Sequence, residues 1–220
     1  MNIRSNTEIF SNIYTNKLWG GAENSEKFMS GPGSHDENII IPYINLLLQI
    51  VVFNDIRSIT DVGCGDFWIM RHVIAHLEKI GHKINYSGID VVEDLVNYNN
   101  ERFGTENIKF YCLDASEKDK RLPKGDMIII RQVLQHLNNV DVERILTKAD
   151  KFKFALITEH IYEGEGVIPN LDNNRNGDIR LGFKSGIYLE KPPFNYSNVV
   201  HLLKIAQYGG IIRTSLIIND

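Results

Sequence analysis

The sequence is short of several things that would have announced a specialised class. It has two cysteines, Cys64 and Cys112, and their spacing is not that of a metal knuckle. A disulfide framework is therefore not expected, and a reducing, cytoplasmic compartment is. The opening MNIRSNTEIF has no apolar stretch of the secretory kind. The most apolar run, Ile39 to Phe53, is broken by Pro42, Asn45 and Gln49 and falls short of the ~20 residues that span a bilayer. It reads as a core helix, and no membrane association is expected. Positive charge is not in excess: 24 Lys and Arg stand against 28 Asp and Glu, a net charge of −4. That balance argues against a nucleic-acid track, where clustered cations would neutralise phosphates. Lys118 to Arg121 reads as solvated loop charge. Neither His35-Asp36-Glu37 nor Glu159-His160 has the helical i, i+4 spacing of a zinc motif, so no metal is expected. There is no internal repeat and no low-complexity tract.

What is present is a core. The 220 residues, 43% apolar and 24% charged, suit one packed domain. Its first 55 residues read as an N-terminal helical cover, which includes a turn at Ser30 to Ser34 and a helix over Glu37 to Phe53. Residues 56–161 alternate between strand and helix. Strands are expected at Ser58 to Val62, Ile84 to Ile89, Ile108 to Leu113, Asp126 to Ile130 and Phe154 to Thr158. Helices are expected at Phe67 to Ile80 (with Asp66 as N-cap), Val92 to Phe103 and Val140 to Asp150. Such alternation specifies an α/β fold with a doubly wound, mostly parallel sheet. Residues 162–194, rich in Gly, Asn and charge, break the pattern and read as an insertion or lid. Residues 195–220 read as a last helix, Tyr196 to Ala206, and a last strand, Ile211 to Ile218.

In an open parallel sheet, ligands bind beyond the carboxyl ends of the strands. Here those ends carry Asp61-Val62-Gly63-Cys64-Gly65, then Asp90-Val91, Asp114-Ala115, and Arg131-Gln132-Val133. Gly63 and Gly65 permit a sharp turn and a close approach of backbone to ligand. Asp90 can accept from both hydroxyls of a ribose. Asp114 can accept from an exocyclic amine, with the Ala115 N–H beside it for a ring nitrogen. A dinucleotide fingerprint needs a third glycine, and Trp68 occupies that position. Asp66 would also repel a diphosphate. A nicotinamide-dependent oxidoreductase or epimerase is accordingly the alternative reading. The paired carboxylates suit a cation better.

Asp61-Val62-Gly63-Cys64-Gly65-Asp66 resembles the first motif of class I S-adenosylmethionine-dependent methyltransferases. Ser87-Gly88-Ile89-Asp90 resembles their ribose-binding strand, Cys112-Leu113-Asp114-Ala115 their adenine contact, and Asp126 to Leu137 their fourth strand and following loop. The ordered set covers Ser58 to His160. The resemblance implies that Gly63, Cys64 and Gly65 flank the methionine part of the cofactor and that Asp61 orients its amino group. It also implies that Asp90 and Val91 hold the ribose, that Asp114 and Ala115 hold the adenine, and that Arg131, Gln132 and Val133 line the far side of the pocket. Trp19 and Ser34 would belong to the cover. The family ends in an antiparallel strand pair, and only one strand is clear here. Trp68 reads as a packing residue rather than a stacking platform. Tyr14 to Trp19, Ser30 to Ser34 and Tyr188 to Phe194 resemble, in turn, small methyltransferases associated with bacterial surface polysaccharides. That implies a sugar or phosphorylated precursor as acceptor.

Methyl transfer to a hydroxyl benefits from a base, most often histidine. His136 follows the fourth strand and is the candidate, with His160 and His35 behind it. No Asn-Pro-Pro-aromatic tetrad follows the fourth strand, which counts against nucleic-acid methylation. The expected partner is a small-molecule acceptor, and the expected state a monomer or homodimer. A module that binds the cofactor without turnover is the remaining alternative.

Overall fold

A computed structural model describes residues 4–20, 27–173 and 177–219. Parts of the expected cover (21–26) and of the expected insertion (174–176) lie outside the described residues. The chain folds as two compact units. One is Ser5–Asp114 with Pro123–Asp126, so the cover and the first three strands of the core fall in the same unit. The other contains Ala115–Leu122 and the chain from Met127 onward.

The first unit starts at α1 (Asn6–Thr15), whose Ser5 and Glu8 form a reciprocal capping box. Asp36 caps α2 (Glu37–Phe53) by accepting the Asn38 N–H at 2.9 Å. The face of α2 that carries Ile40, Tyr43, Ile44, Leu47 and Val51 is buried. Its three strands, β1 (Ser58–Val62), β2 (Asn85–Asp90) and β3 (Ile108–Cys112), are parallel in the order β3-β2-β1. Their register sets Val62 beside Ile89 and Asp90 beside Cys112, so the polar strand ends line up along one edge. The connecting helices are α3 (Trp68–Lys79) and α4 (Glu93–Phe103). Phe67, just before α3, adopts a left-handed φ of 62°. Its buried ring packs against Tyr86 at 5.1 Å, Phe110 at 5.0 Å and Phe103 at 5.4 Å. Aromatic burial of that size offsets the ~1–2 kcal/mol of a non-glycine left-handed residue.

In the second unit, β4 (Met127–Arg131) pairs in parallel with β5 (Phe154–Ile161), and α5 (Asn139–Ala149) connects them. Every residue of β5 is buried. The strand runs three residues further than expected, so Glu159 and His160 lie within it. The unit's order is β4-β5-β7-β6. Here the expected last helix is corrected: Val199–Gln207 is a strand, β6, antiparallel to β7 (Gly210–Ile218). Val199, Val200 and Ile205 favour the extended form. The decisive feature is Tyr208-Gly209, a two-residue turn with φ of 38° and 72°, the all-positive geometry that closes hairpins. The hairpin supplies the strand pair that the sequence left in doubt.

Residues 162–194 hold a single 3₁₀ turn among those described, Leu181–Phe183, yet they are firmly packed. Asn170, Arg180, Ser185, Ile187, Tyr188 and Leu189 are buried. The Asn170 amide donates to the Tyr188 and Pro192 carbonyls and accepts the Tyr188 N–H, each within 2.9 Å. No helix among the described residues is long and apolar enough to cross a membrane.

Candidate active site

The glycine turn of the first unit is tied to the neighbouring strand end. The Gly63 and Cys64 N–H groups both donate to the Ile89 carbonyl, at 2.8 and 3.0 Å. Gly63 and Gly65 have φ of 71° and 55°, values that favour glycine. A Cβ on Gly65 would lie 2.2 Å from Ser30 Oγ, so the turn is packed tightly enough to exclude any side chain.

Asp90 is the centre of this arrangement. Its two oxygens accept the N–H of Gly65 and of Val92, each at 3.1 Å. An ionised carboxylate has about four acceptor positions, so capacity remains for a hydroxyl donor. Burial pushes its pKa up to about 6, opposed by the N–H groups of Val92, Gly65 and Val91. Asp61, also buried, accepts the Tyr86 hydroxyl at 2.7 Å. Asp114 accepts the Asn6 amide at 3.1 Å, which brings α1 to the end of β3. Burial raises the Cys64 thiol well above its ordinary range, and the charges of Asp90, Asp61 and Asp66 raise it further. The turn therefore sits in a negative field.

The cover is fastened to this turn through Asp66, which corrects the N-cap expectation. The helix begins at Trp68, after Phe67. Asp66 does reach back to the Trp68 N–H at 3.1 Å, but its other oxygen accepts the Ser30 N–H at 2.8 Å and meets His35 Nε2 at 2.7 Å. In return the Asp66 N–H donates to Ser30 Oγ at 2.8 Å, and Tyr14 OH lies 2.9 Å from the same oxygen. Trp19 packs edge-on against Tyr14 at 5.6 Å, and Ser34 closes a 3₁₀ turn by donating its N–H to Gly31. Trp68 stacks on His35 and under Arg71. The first unit thus brings together Asp61, Gly63, Cys64, Gly65, Asp90, Val91 and Asp114, with Trp19, Ser34 and His35 in the cover.

The remaining candidates belong to the second unit. The Ala115 carbonyl accepts from the buried Lys148 ammonium at 2.8 Å. Arg131 ends β4. Gln132 has a left-handed φ of 55° and donates its N–H to Thr158 O at 2.7 Å. The turn that follows is gripped by Glu159, whose Oε1 accepts the Val133 and Leu134 N–H groups and whose Oε2 accepts that of Gln135, all within 3.2 Å. Burial raises the pKa of Glu159 to about 7, against the pull of those amides and of Arg180.

The three histidines are all engaged. His136 Nδ1 donates to the Gly177 carbonyl at 2.6 Å, and its Nε2 accepts from the Gln135 amide at 3.2 Å. Burial lowers its pKa to about 4. Both ring nitrogens are thus engaged, one by a backbone carbonyl and the other by the neighbouring amide. Gln135 links it to His160, whose backbone N–H it accepts at 2.8 Å. The His160 ring donates to Gln207 O at 2.9 Å. His35 is the partner of Asp66. Among the described residues, no group of three or more His, Cys, Asp or Glu could hold a metal ion.

Sequence reasoning named Ser30 only as part of a turn and missed Asn99 and Arg180. Arg180 bonds the Leu171 and Leu137 carbonyls and the Asn139 side chain, partners scattered along the chain with no local signature. Glu159 was visible only as half of an unconvincing metal pair.

A family model described as a methyltransferase domain matches residues 59–152. Solved structures show the same fold at low identity. The N-methyltransferase NodS from Bradyrhizobium japonicum WM9, in complex with S-adenosylhomocysteine, is 12% identical, with 98% of this chain and 99% of that one covered and a TM-score of 0.60. The 1,6-didemethyltoxoflavin-N1-methyltransferase of Burkholderia thailandensis is 14% identical over 97% of this chain and 87% of its own, also at 0.60. The magnesium protoporphyrin IX methyltransferase of Synechocystis PCC 6803, with bound S-adenosylmethionine, is 11% identical over the whole of both chains, at 0.57. No curated protein matches the sequence. Residues 59–152 match a methyltransferase-domain model, and the chain has the mostly parallel Rossmann-like fold seen in these solved methyltransferases.

Proposed function

We propose that the chain transfers the methyl group of S-adenosylmethionine to a hydroxyl or amine of a small polar acceptor, a sugar or phosphorylated precursor of a bacterial surface polysaccharide. The observation that carries the cofactor half is the buried Asp90 carboxylate, held by the N–H groups of Gly65 and Val92 at the end of β2. The donor set fits the cofactor. Asp90 would accept from the ribose, Asp114 from the adenine amine, and Asp61 would orient the ammonium. Gly63 and Gly65 would let the backbone approach the methionine part, and the negative field at Cys64 favours a cation. The nicotinamide alternative fares worse: the third-glycine position is the Trp68 ring, packed on His35, and Asp66 is committed to Ser30 and His35.

S-adenosylmethionine supplies an electrophilic methyl on a sulfonium. As the acceptor's bond to that carbon forms, the carbon–sulfur bond breaks, and S-adenosylhomocysteine leaves. What the protein contributes is chiefly geometry, holding acceptor and methyl in line. The structurally similar enzymes are named for acceptors as different as magnesium protoporphyrin IX and 1,6-didemethyltoxoflavin, so fold does not choose the acceptor. The sugar reading rests on the resemblance of Tyr14 to Trp19, Ser30 to Ser34 and Tyr188 to Phe194. Incubation with methyl-labelled donor and a panel of nucleotide-sugars, phosphorylated sugars, peptides and aromatic amines tests it. Label is expected in a sugar-containing product. Label confined to a peptide or aromatic acceptor would refute the sugar reading.

A further inference from the structure

We propose that Asn99 is a positioning residue for the methyl donor: from α4 its amide holds the Gly65 carbonyl, and with Asp90 it clasps that one glycine from both ends. The inference rests on the reading above, that S-adenosylmethionine binds at the glycine turn. Asn99 is fully buried, and its Nδ2 donates to Gly65 O at 2.8 Å. On the other side of the same residue, the Gly65 N–H donates to Asp90 Oδ2 at 3.1 Å.

The neighbouring Asn100 shows what a purely structural amide looks like on this helix. It donates to Phe110 O at 2.9 Å and accepts Phe110 N–H at 3.1 Å, satisfying both its ends and fastening α4 to β3. Asn99 satisfies one end only, since its Oδ1 is buried without a hydrogen-bond partner among the described residues. An orphaned buried acceptor disfavours the fold, and an aliphatic side chain of similar size would avoid it. Reversing the amide gives no relief, because its oxygen would then face the Gly65 carbonyl. The side chain is therefore matched to Gly65 rather than to the stability of the helix. Gly65 has no conformational restraint of its own at φ 55°, and its carbonyl would otherwise be free to swing out of the turn.

The test is calorimetric titration of S-adenosylhomocysteine into the full chain and into Asn99→Leu and Asn99→Asp, from pH 5.5 to 8, with melting temperatures alongside. Asn99→Leu is expected to bind about tenfold more weakly or worse, the equivalent of one lost hydrogen bond to a positioned group, with a melting temperature close to that of the parent, because one unpaired buried acceptor, Asn99 Oδ1, is exchanged for another, the Gly65 carbonyl. Asn99→Asp is expected to be weaker still at pH 8, where a carboxylate opposes the Gly65 carbonyl. Its deficit should shrink as pH falls, because a protonated carboxyl can donate to that carbonyl again. The other charged and titratable groups around the turn, Asp61, Cys64, Asp66, Asp90 and Tyr14, are present in the parent too, so the ratio to the parent at each pH isolates position 99. Binding of Asn99→Leu within about twofold of the parent would overturn the inference. So would a deficit of Asn99→Asp that stays constant with pH, and if the leucine variant fails to fold this trend alone decides. A parent that takes up no S-adenosylhomocysteine would instead overturn the functional reading on which the inference stands.

Discussion

Asp90→Asn is expected to weaken S-adenosylhomocysteine binding by about 100-fold or more at pH 8. Both carboxylate oxygens accept a backbone N–H, from Gly65 and from Val92. Whichever way an asparagine amide turned, its NH2 would meet one of those donors, so the substitution loses a ribose acceptor and sets two donors face to face. Two such losses of roughly 1.5 kcal/mol each correspond to about two decades in affinity. The pH dependence follows from the same group. The buried carboxyl holds its proton up to about pH 6, above the ordinary 3.8. The folded chain therefore binds that proton more tightly than the unfolded one. The group's contribution to stability is complete below about 4 and is lost as pH rises through about 6. Donor binding runs the opposite way, since the ribose hydroxyls need the ionised form, and parental affinity should rise as pH passes about 6. The asparagine variant should lack that rise. Calorimetry at pH 5, 6, 7 and 8 reads both effects, and a variant that keeps the parent's affinity at pH 8 would remove Asp90 from the cofactor's site.

Glu159→Ala should be the most destabilising single change outside the apolar core. It strips the acceptor from three backbone amides, those of Val133, Leu134 and Gln135, in a place shielded from bulk solvent: Glu159 is 2% exposed. Unsatisfied buried donors cost about 1–3 kcal/mol each, and a loss of roughly 3 kcal/mol lowers the melting temperature of a chain this size by roughly 6–12 °C. Glu159→Gln exposes the pH term. Burial raises the carboxyl to about 7 from the ordinary 4.5, so its contribution to stability is full below about 4.5 and fades as pH rises through about 7. His136 works in the opposite sense, because its lowered pKa of about 4 adds stability as pH rises towards 6.5. The difference between parent and Gln variant at each pH removes the histidine and should show the glutamate slope alone. An alanine variant that melts within about 1 °C of the parent would show that the turn after β4 does not depend on this carboxylate.

The parts of the fold that were legible in sequence are those whose physics is local. The helix α2 was read to the residue, because Asp36 caps it and its apolar stripe is continuous. So was β1, which ends where glycines force the turn. Local reasoning failed where two readings share one pattern: Val199 to Ala206 carries enough apolar residues for either period, and only the positive φ of Tyr208 and Gly209 decides for a hairpin. At the candidate site, the placement of Gly63, Gly65, Asp61, Asp90 and Asp114 at strand ends was legible because a strand end followed by glycine or carboxylate is visible in the chain. Asp66 was legible only as a carboxylate near a helix start. That it fastens Ser30 and His35, more than thirty residues upstream, depends on the tertiary fold. The same holds for His136, whose ring is committed to Gly177, 41 residues downstream.

The most direct measurement is calorimetric titration of the purified chain with S-adenosylhomocysteine and, separately, with a nicotinamide dinucleotide. Saturable one-to-one heat with the sulfur nucleoside and none with the dinucleotide is the expected outcome. Uptake of the dinucleotide alone would mean that the glycine bend and its carboxylates serve a phosphate-bearing ligand, and that the chain is no methyltransferase.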